Sequence, residues 1–354
     1  MKKSTRKLEM SADSKANTPP LVTVTLKSEK GEESIKVKKG TSLDEFFQGH
    51  LPRPFGNPIV AAKVNHAEKD LWTKLEEDCV VIPVDLMDFA GNKIYERSLV
   101  LLLLRAIDEL YPDYSLEVSY SISRGLYCEL PGKTPLQREM VAKLESHMRK
   151  LVVRNEDFLT EQVPLERAID IFQKKNMIDK VKLLKHSKEK TVTLCRSGNT
   201  VGMLQGSIVP RMSYLKNFEL VPYPPGLIMR FPYKSSPDTI PDFEEQCRLF
   251  RVFQEHKKWA AILNVKNIGE LNDLIANGKI YDSIKVSEAI HEKTIARIAD
   301  MIHQDIQNIR IILIAGPSSS GKTTFAKRLS IQLKVLGIDR KSTRLNSSHV
   351  SQYR

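Results

Sequence analysis

The run Ile311-Ile-Leu-Ile-Ala315, followed without a break by Gly316-Pro-Ser-Ser-Ser-Gly-Lys-Thr323, constrains this chain more than any other feature. The apolar, β-branched run has the make-up of a strand buried on both faces of a parallel sheet. The next eight residues satisfy G-x-x-x-x-G-K-[ST], and Phe325, Leu329, Leu333 and Leu336 then recur at helical spacing. Strand, glycine loop and helix in that order make a cradle for phosphate. Gly316 and Gly321 permit backbone turns that a Cβ would hinder. Beyond Pro317, the amides of Ser318, Ser319, Ser320, Gly321, Lys322, Thr323 and Thr324 are expected to curl around phosphate oxygens at the positive end of the helix. Lys322 is the expected catalytic cation, bridging β- and γ-phosphates, and the Thr323 hydroxyl is the expected Mg²⁺ ligand. ATP and Mg²⁺ are therefore the expected cofactors.

The rest of the composition sets limits. At 354 residues, with 41% hydrophobic and 28% charged residues, the chain has the balance of a soluble globular protein of two or three domains. The richest apolar run, Leu99–Leu104, is far short of a membrane span and reads as buried helix. Met1-Lys-Lys-Ser-Thr-Arg lacks a following apolar segment, so the expectation is a cytoplasmic protein without a membrane partner. Cys79, Cys128, Cys195 and Cys247 are scattered without CxxC spacing, which predicts reduced thiols and no zinc. His291 and His303 are expected at the surface or in packing, since no HExxH spacing is present. The net charge is +12, of which +3 falls in residues 1–18 and +3 in residues 339–354. The +6 left for the body is the excess of an ordinary solvated surface.

Residues 339–354 form a tail that is excluded from the fold. Asp339-Arg-Lys-Ser-Thr-Arg-Leu-Asn-Ser-Ser-His349 back-translates into a string resembling a short-read sequencing adapter, so the tail is expected to be an artefact, with the natural gene continuing past residue 338.

The expected fold class is α+β multidomain. Residues 1–19 are a disordered basic tail ending at Pro19-Pro20. Within residues 20–88, Leu21–Leu26 and Ser34–Lys38 alternate as a hairpin about a Lys30-Gly31 turn. Thr41 or Ser42 then caps a helix bearing Asp44 and Glu45, and Ile59–Val64 and Cys79–Val84 supply further strands. Within residues 89–235, Ser98–Leu110 and the stretch from Pro164 to Phe172 read as helices, and Thr191–Arg196 and Phe218–Val221 as strands. Residues 236–307 read as a helical bridge, with helices over Phe243–His256 and Val286–Ile306. Residues 308–338 begin the phosphate-loop unit.

Residues 21–88, with Lys38-Lys-Gly-Thr-Ser-Leu and Ala61-Ala-Lys-Val-Asn, resemble the TGS domain, a β-grasp module of threonyl-tRNA synthetases and some GTPases. The resemblance implies ligand or RNA contacts without assigning them to a residue. Arg97-Ser-Leu-Val-Leu-Leu-Leu and Leu194-Cys-Arg-Ser-Gly-Asn199 resemble the editing domain of threonyl- and alanyl-tRNA synthetases. In that family these pieces carry His-x-x-x-His and Cys-x-x-x-His. Here Arg97, Leu101 and Asn199 stand where three His would, and only Cys195 remains, as a core residue. An always-protonated Arg and an apolar Leu cannot hold zinc, so the editing fold is expected without its chemistry.

The loop Gly316–Leu329 looks like that of the uridine kinase and phosphoribulokinase family. Pro224–Pro232, Phe253–Trp259 and Ala289–Ala296 are similar to segments of bacterial uridine kinase-like nucleoside kinases. The resemblance implies an ATP-dependent kinase acting on a nucleoside-like acceptor, represented here by an incomplete fragment without turnover. In that fragment Ile311 to Ile314 are expected to be left partly exposed and the phosphate loop poorly structured, because one strand and one helix cannot bury both faces of a parallel strand. The alternative is a translation-associated tRNA- or RNA-binding protein built from synthetase-like domains. Editing of mischarged tRNA is the third and weakest reading.

Overall fold

The computed structural model describes residues 20–28, 31–51 and 58–338. The basic lead-in 1–19, Lys30 of the expected turn and the tail 339–354 lie outside the described residues. The chain divides into two compact units. One holds the residues up to Asp170 together with Glu189–Phe250, and the other holds Ile171–Lys188 and the residues from Arg251 onward.

In the first unit, β1 (Leu21–Ser28) buries Val22, Val24 and Leu26 on one face and pairs antiparallel with β2 (Gly31–Lys38). The helix α1 (Leu43–His50) starts in a reciprocal cap. Ser42 Oγ accepts from the Glu45 amide at 3.2 Å, and Glu45 Oε2 accepts from the Ser42 amide at 2.9 Å. The strands β3 (Ala61–Val64), β4 (Ala67–Lys69) and β5 (Cys79–Val84) complete a five-stranded sheet of order β2-β1-β5-β3-β4. Only β1 and β5 run parallel, from Val24↔Cys79 to Leu26↔Val81. Phe46 and Phe47 of α1 close the core over Val24 and Val81.

The helix α2 (Phe89–Leu110) begins nine residues before the expected Ser98, because Ile94 and Tyr95 extend its buried stripe toward the N-terminus. It is followed by β6 (Glu117–Ile122), β7 (Gly125–Glu129), α3 (Arg138–Arg154), β8 (Leu159–Pro164), α4 (Leu165–Lys174), α5 (Ile178–Lys185), β9 (Thr191–Ser197), β10 (Thr200–Met203), β11 (Glu219–Tyr223) and β12 (Gly226–Arg230). Two further sheets result, β10-β9-β8 and β11-β12-β7-β6, both antiparallel. Leu99, Leu102 and Leu103 of α2, Leu144 and Met148 of α3, and Cys128, Leu227 and Met229 of the four-stranded sheet share one core.

The second unit contains α5, most of α6 (Cys247–Ile262), α7 (Ile268–Ala276), α8 (Ile280–Gln304) and α9 (Lys322–Val335). Lys182 and His186 of α5 meet Glu270 and Asp273 of α7 at 3.3 and 2.7 Å. Ile295, Ala299 and Ile302 of α8 pack on Leu329 and Leu333 of α9. The helix expected over Phe243–His256 starts four residues later, and the one expected over Val286–Ile306 starts six residues earlier.

The expected strand at Ile311–Ala315 is missing, while the exposure expected for that run is present. Ile311–Ala315 forms no strand, and Ile311 and Leu313 stand 77% and 82% exposed. A strand exists through its ladder of partners, and no strand among the described residues pairs with this run. The parallel sheet expected for residues 308–338 is accordingly not present among the described residues, and the fold they show is a mixed α/β one with three sheets. No described helix is long and apolar enough to cross a membrane.

Candidate functional site

Two places bring chemistry-bearing residues together, one in each unit. In the second unit, the loop from Gly316 leads into α9, whose first turn contains Lys322, Thr323 and Thr324. Ser319 and Gly321 adopt positive φ, +60° and +80°, and this bends the chain into the helix start. Gly321 as N-cap offers no side-chain acceptor, and the first turn carries no acidic residue. The first amides of α9 thus retain the donor character that an anion would use. Lys322 Nζ donates to the carbonyls of Gly316 and Pro317 at 2.7 and 2.5 Å, and the Ser320 amide donates to Pro317 O at 3.4 Å. The loop therefore holds its own cation across its mouth. The residue types fit a phosphate group, and Lys322 would exchange two carbonyl acceptors for phosphate oxygens on binding.

The second place lies on the face of α2 that carries Arg97, Leu101 and Arg105 at four-residue intervals. This face packs against the hairpin β9–β10 and the loop behind it. Gly202 pairs with Cys195 across the hairpin, and a Cβ on Gly202 would lie 2.5 Å from Leu101 Cδ2, so a larger residue there would displace the Leu101 side chain. Leu101 and Cys195 are both buried in the shared core. Burial pushes the Cys195 thiol up to about 12, which leaves it an un-ionised packing group. Arg97 Nη1 donates to the Ser207 carbonyl. Asp70, from the loop after β4, accepts from the Ile208 amide at 3.3 Å, and its burial raises the carboxyl above its usual range.

One turn further along α2, Arg105 is buried and surrounded. Its Nε donates to Glu109 Oε1 at 2.8 Å, and its Nη1 reaches Glu156 Oε2 at 2.6 Å and Ser197 Oγ at 2.7 Å. Burial opposes the charge on both Arg105 and Glu109, but the hydrogen bonds win. Glu109, which also meets His147 Nε2 at 2.7 Å, is held below the ordinary carboxylate range, and Arg105 is held above its own. Thr200 Oγ1 donates to Asp108 Oδ2 at 2.7 Å, a second tie between α2 and the hairpin. Asp44 of α1 accepts from Tyr214 Oη at 3.0 Å and Arg211 Nη2 at 3.3 Å, which anchors α1 to the loop before β11. Sequence reasoning singled out Arg97, Leu101 and Cys195 but missed Arg105, Glu109, Glu156 and Asp70. The i, i+4 spacing of Arg105 and Glu109 was the available signal. Among the described residues, no three His, Cys, Asp or Glu side chains group as a metal site would require.

No family model matches the chain. It is 29% identical over 165 residues to the threonine–tRNA ligase of Acetivibrio thermocellus, an alignment covering 46% of this chain and 26% of that protein. The threonine–tRNA ligase of Ehrlichia ruminantium strain Gardel is 27% identical over 172 residues, 48% of this chain and 27% of the relative. That of Clostridium botulinum is 24% identical over 202 residues, 57% and 31% respectively. The chain thus spans about a quarter to a third of the length of these relatives.

These findings correct the expectation of a uridine kinase-like nucleoside kinase, both as an activity and as an enzyme class. The relatives are tRNA ligases, and Ile311–Ala315 forms no strand among the described residues. About half of the chain is similar in sequence to part of these threonine–tRNA ligases.

Proposed function

We propose that the protein is a translation-associated tRNA- or RNA-binding protein of the cytoplasm, in which the editing-like fold of residues 89–235 contacts RNA without hydrolysing an aminoacyl bond and the TGS-like residues 20–88 assist. The observation that supports this reading is the α2 face itself. Leu101 and the protonated Cys195 are buried and Arg105 is engaged by Glu109 and Glu156, so the face lacks a Lewis acid and keeps Arg97 as a partly exposed cation. A guanidinium holds phosphate or carbonyl oxygens but does not activate water. The test is filter binding of unfractionated tRNA to the full chain through a salt series. Affinity is expected to fall steeply between about 50 and 200 mM salt, with a log–log slope that gives the number of phosphates contacted. Binding that ignores salt would overturn the reading. Arg97→Ala should weaken binding several-fold, and mischarged tRNA should be released intact.

A second element of the proposal concerns the loop. Gly316, Pro317, Ser318, Ser319, Ser320, Gly321, Lys322, Thr323 and Thr324 are assigned as a binding element for the phosphates of ATP, with Mg²⁺ on Thr323. The supporting observation is a helix start without an acid or a side-chain cap, fronted by Lys322. Titration with a fluorescent ATP analogue should give saturable binding that Lys322→Ala weakens at least about tenfold. Equal binding by that variant would remove the assignment.

A further inference from the structure

The four-stranded sheet β11-β12-β7-β6 has two faces, and only one faces the core of α2 and α3. The other face carries an aromatic row. Tyr120 of β6 is paired in register with Tyr127 of β7, and their rings stack at 5.0 Å and 20°. Tyr223 of β11 stands edge-on to Tyr127 at 6.3 Å. Ile122, Ile228 and Val221 fill the gaps between the rings. Tyrosines on neighbouring strands of an antiparallel sheet have the spacing on which unpaired bases stack.

A segment of the chain itself covers this face. Residues 241–250 cross it, with Phe250 edge-on to Tyr127 at 5.1 Å and to Tyr223 at 4.7 Å, and Phe243 edge-on to Tyr223 at 6.3 Å. The cover is thin. None of residues 241–250 is buried, whereas Tyr127 beneath them is fully so. Three polar ties hold the strap. Ser123 Oγ donates to Glu244 O at 2.5 Å, the Ser123 amide donates to Gln246 Oε1 at 3.3 Å, and Arg230 Nη2 donates to Pro241 O. The Tyr127 hydroxyl lies buried at the end of the row, beside Gly226 and Glu129. A nucleobase brings a π-face that can replace the Phe250 ring on Tyr127 and Tyr223. Two arginines flank the row. Arg230 lies over the Phe243 ring at 5.4 Å, and Arg124 sits exposed in the turn between β6 and β7.

We infer that the Tyr120–Tyr127–Tyr223 face is a stacking surface for single-stranded RNA, closed in the free protein by the strap 241–250. The inference deepens the RNA-contact reading above and rests on it for the class of ligand. It assigns the contact to a different surface from the α2 face.

The test uses the full chain and a fluorescent 12-nucleotide oligoadenylate, with a duplex of the same length as control. Ser123→Ala and Phe250→Ala loosen the strap and are expected to raise single-strand affinity about tenfold without changing duplex binding. Tyr223→Ala added to either is expected to return at least that factor. Strap variants that bind the single strand no more tightly than the parent, or tyrosine variants that bind equally well, overturn the inference. Hydrogen exchange of the unmodified chain gives an independent reading. Excess oligoadenylate should increase exchange over 241–250, and an unchanged strap in the presence of bound oligoadenylate overturns the inference. tRNA binding through the α2 face reads out separately. Loss of the Arg97→Ala effect with the strap effect retained counts against the α2 assignment alone, and the converse against the strap alone.

Discussion

Two short apolar runs in this chain meet opposite fates. Cys79-Val-Val-Ile-Pro-Val84 becomes β5, set between β1 and β3, with Val81 wholly buried. Ile311-Ile-Leu-Ile-Ala315 is at least as apolar and as β-branched, yet it forms no strand and leaves Ile311 and Leu313 in solvent. What separates them is the company each finds. Val24 to Leu26 offers β5 a parallel edge, and Ala61 to Val64 an antiparallel one. Among the described residues the second run has neither. Intrinsic β-preference is worth a fraction of what pairing and burial add.

The sharpest way to break this comparison is a matched pair of substitutions. Val81→Asp would place an unpaired carboxylate in a closed core and should cost about 4 kcal/mol or more, enough to unfold the first unit in a urea melt. Leu313→Asp should change stability by less than about 0.5 kcal/mol. Equal effects would mean that Leu313 is buried in solution. Amide exchange sharpens the same contrast, with slow exchange expected across β5 and fast exchange across 311–315.

Arg105→Met comes next in size. It strips Glu109 and Glu156 of their shared cation and should cost about 3 kcal/mol. Because Glu109 is held below its ordinary 4.5, its contribution is complete above that pH and is lost as pH falls through the lower folded value. The parent should therefore lose stability on acidification, and Arg105→Met should lose less of it. The buried thiols report on the alkaline side. Cys128 and Cys195 are pushed up to about 12 from an ordinary 9.0, so their protonated form is favoured in the fold. Stability is intact below pH 9 and should decline between about 9 and 12. At neutral pH only the exposed Cys247 should react promptly with a thiol reagent, whereas Cys79, Cys128 and Cys195 should wait for unfolding. Ser42→Ala should cost less than Arg105→Met, about 1 kcal/mol, through loss of one half of the cap on α1.

The sequence was legible where a local pattern and its partner lay close together. The hairpin β1–β2, the Ser42 cap with Glu45, and the apolar stripe of α2 all depend on residues within a few positions of one another. The α2 face was half legible. Position-by-position resemblance singled out Arg97, Leu101 and Cys195, but nothing local indicated that Arg105 would reach Ser197 across 92 residues or that Asp70 would receive the Ile208 amide. The failure at Ile311–Ala315 has the same cause seen from the other side. Its composition described an environment, and the environment lies in other residues. Tyr120, Tyr127 and Tyr223 were unremarked in the sequence because β6, β7 and β11 come together only in the folded sheet.

The placement of β12 between β11 and β7 bears on how the molecule is made. A ribosome delivers β6 and β7 first and β12 about 100 residues later, an interval on the order of 10 s at ordinary rates of translation. Throughout that interval the nascent β7 has a vacant ladder edge, with Leu126 and Cys128 awaiting Met229 and Leu227. Such an edge invites the wrong strand, including one from a neighbouring nascent chain on the same message. Crowded polysomes, more than heat or denaturant, are where this protein should most need a chaperone.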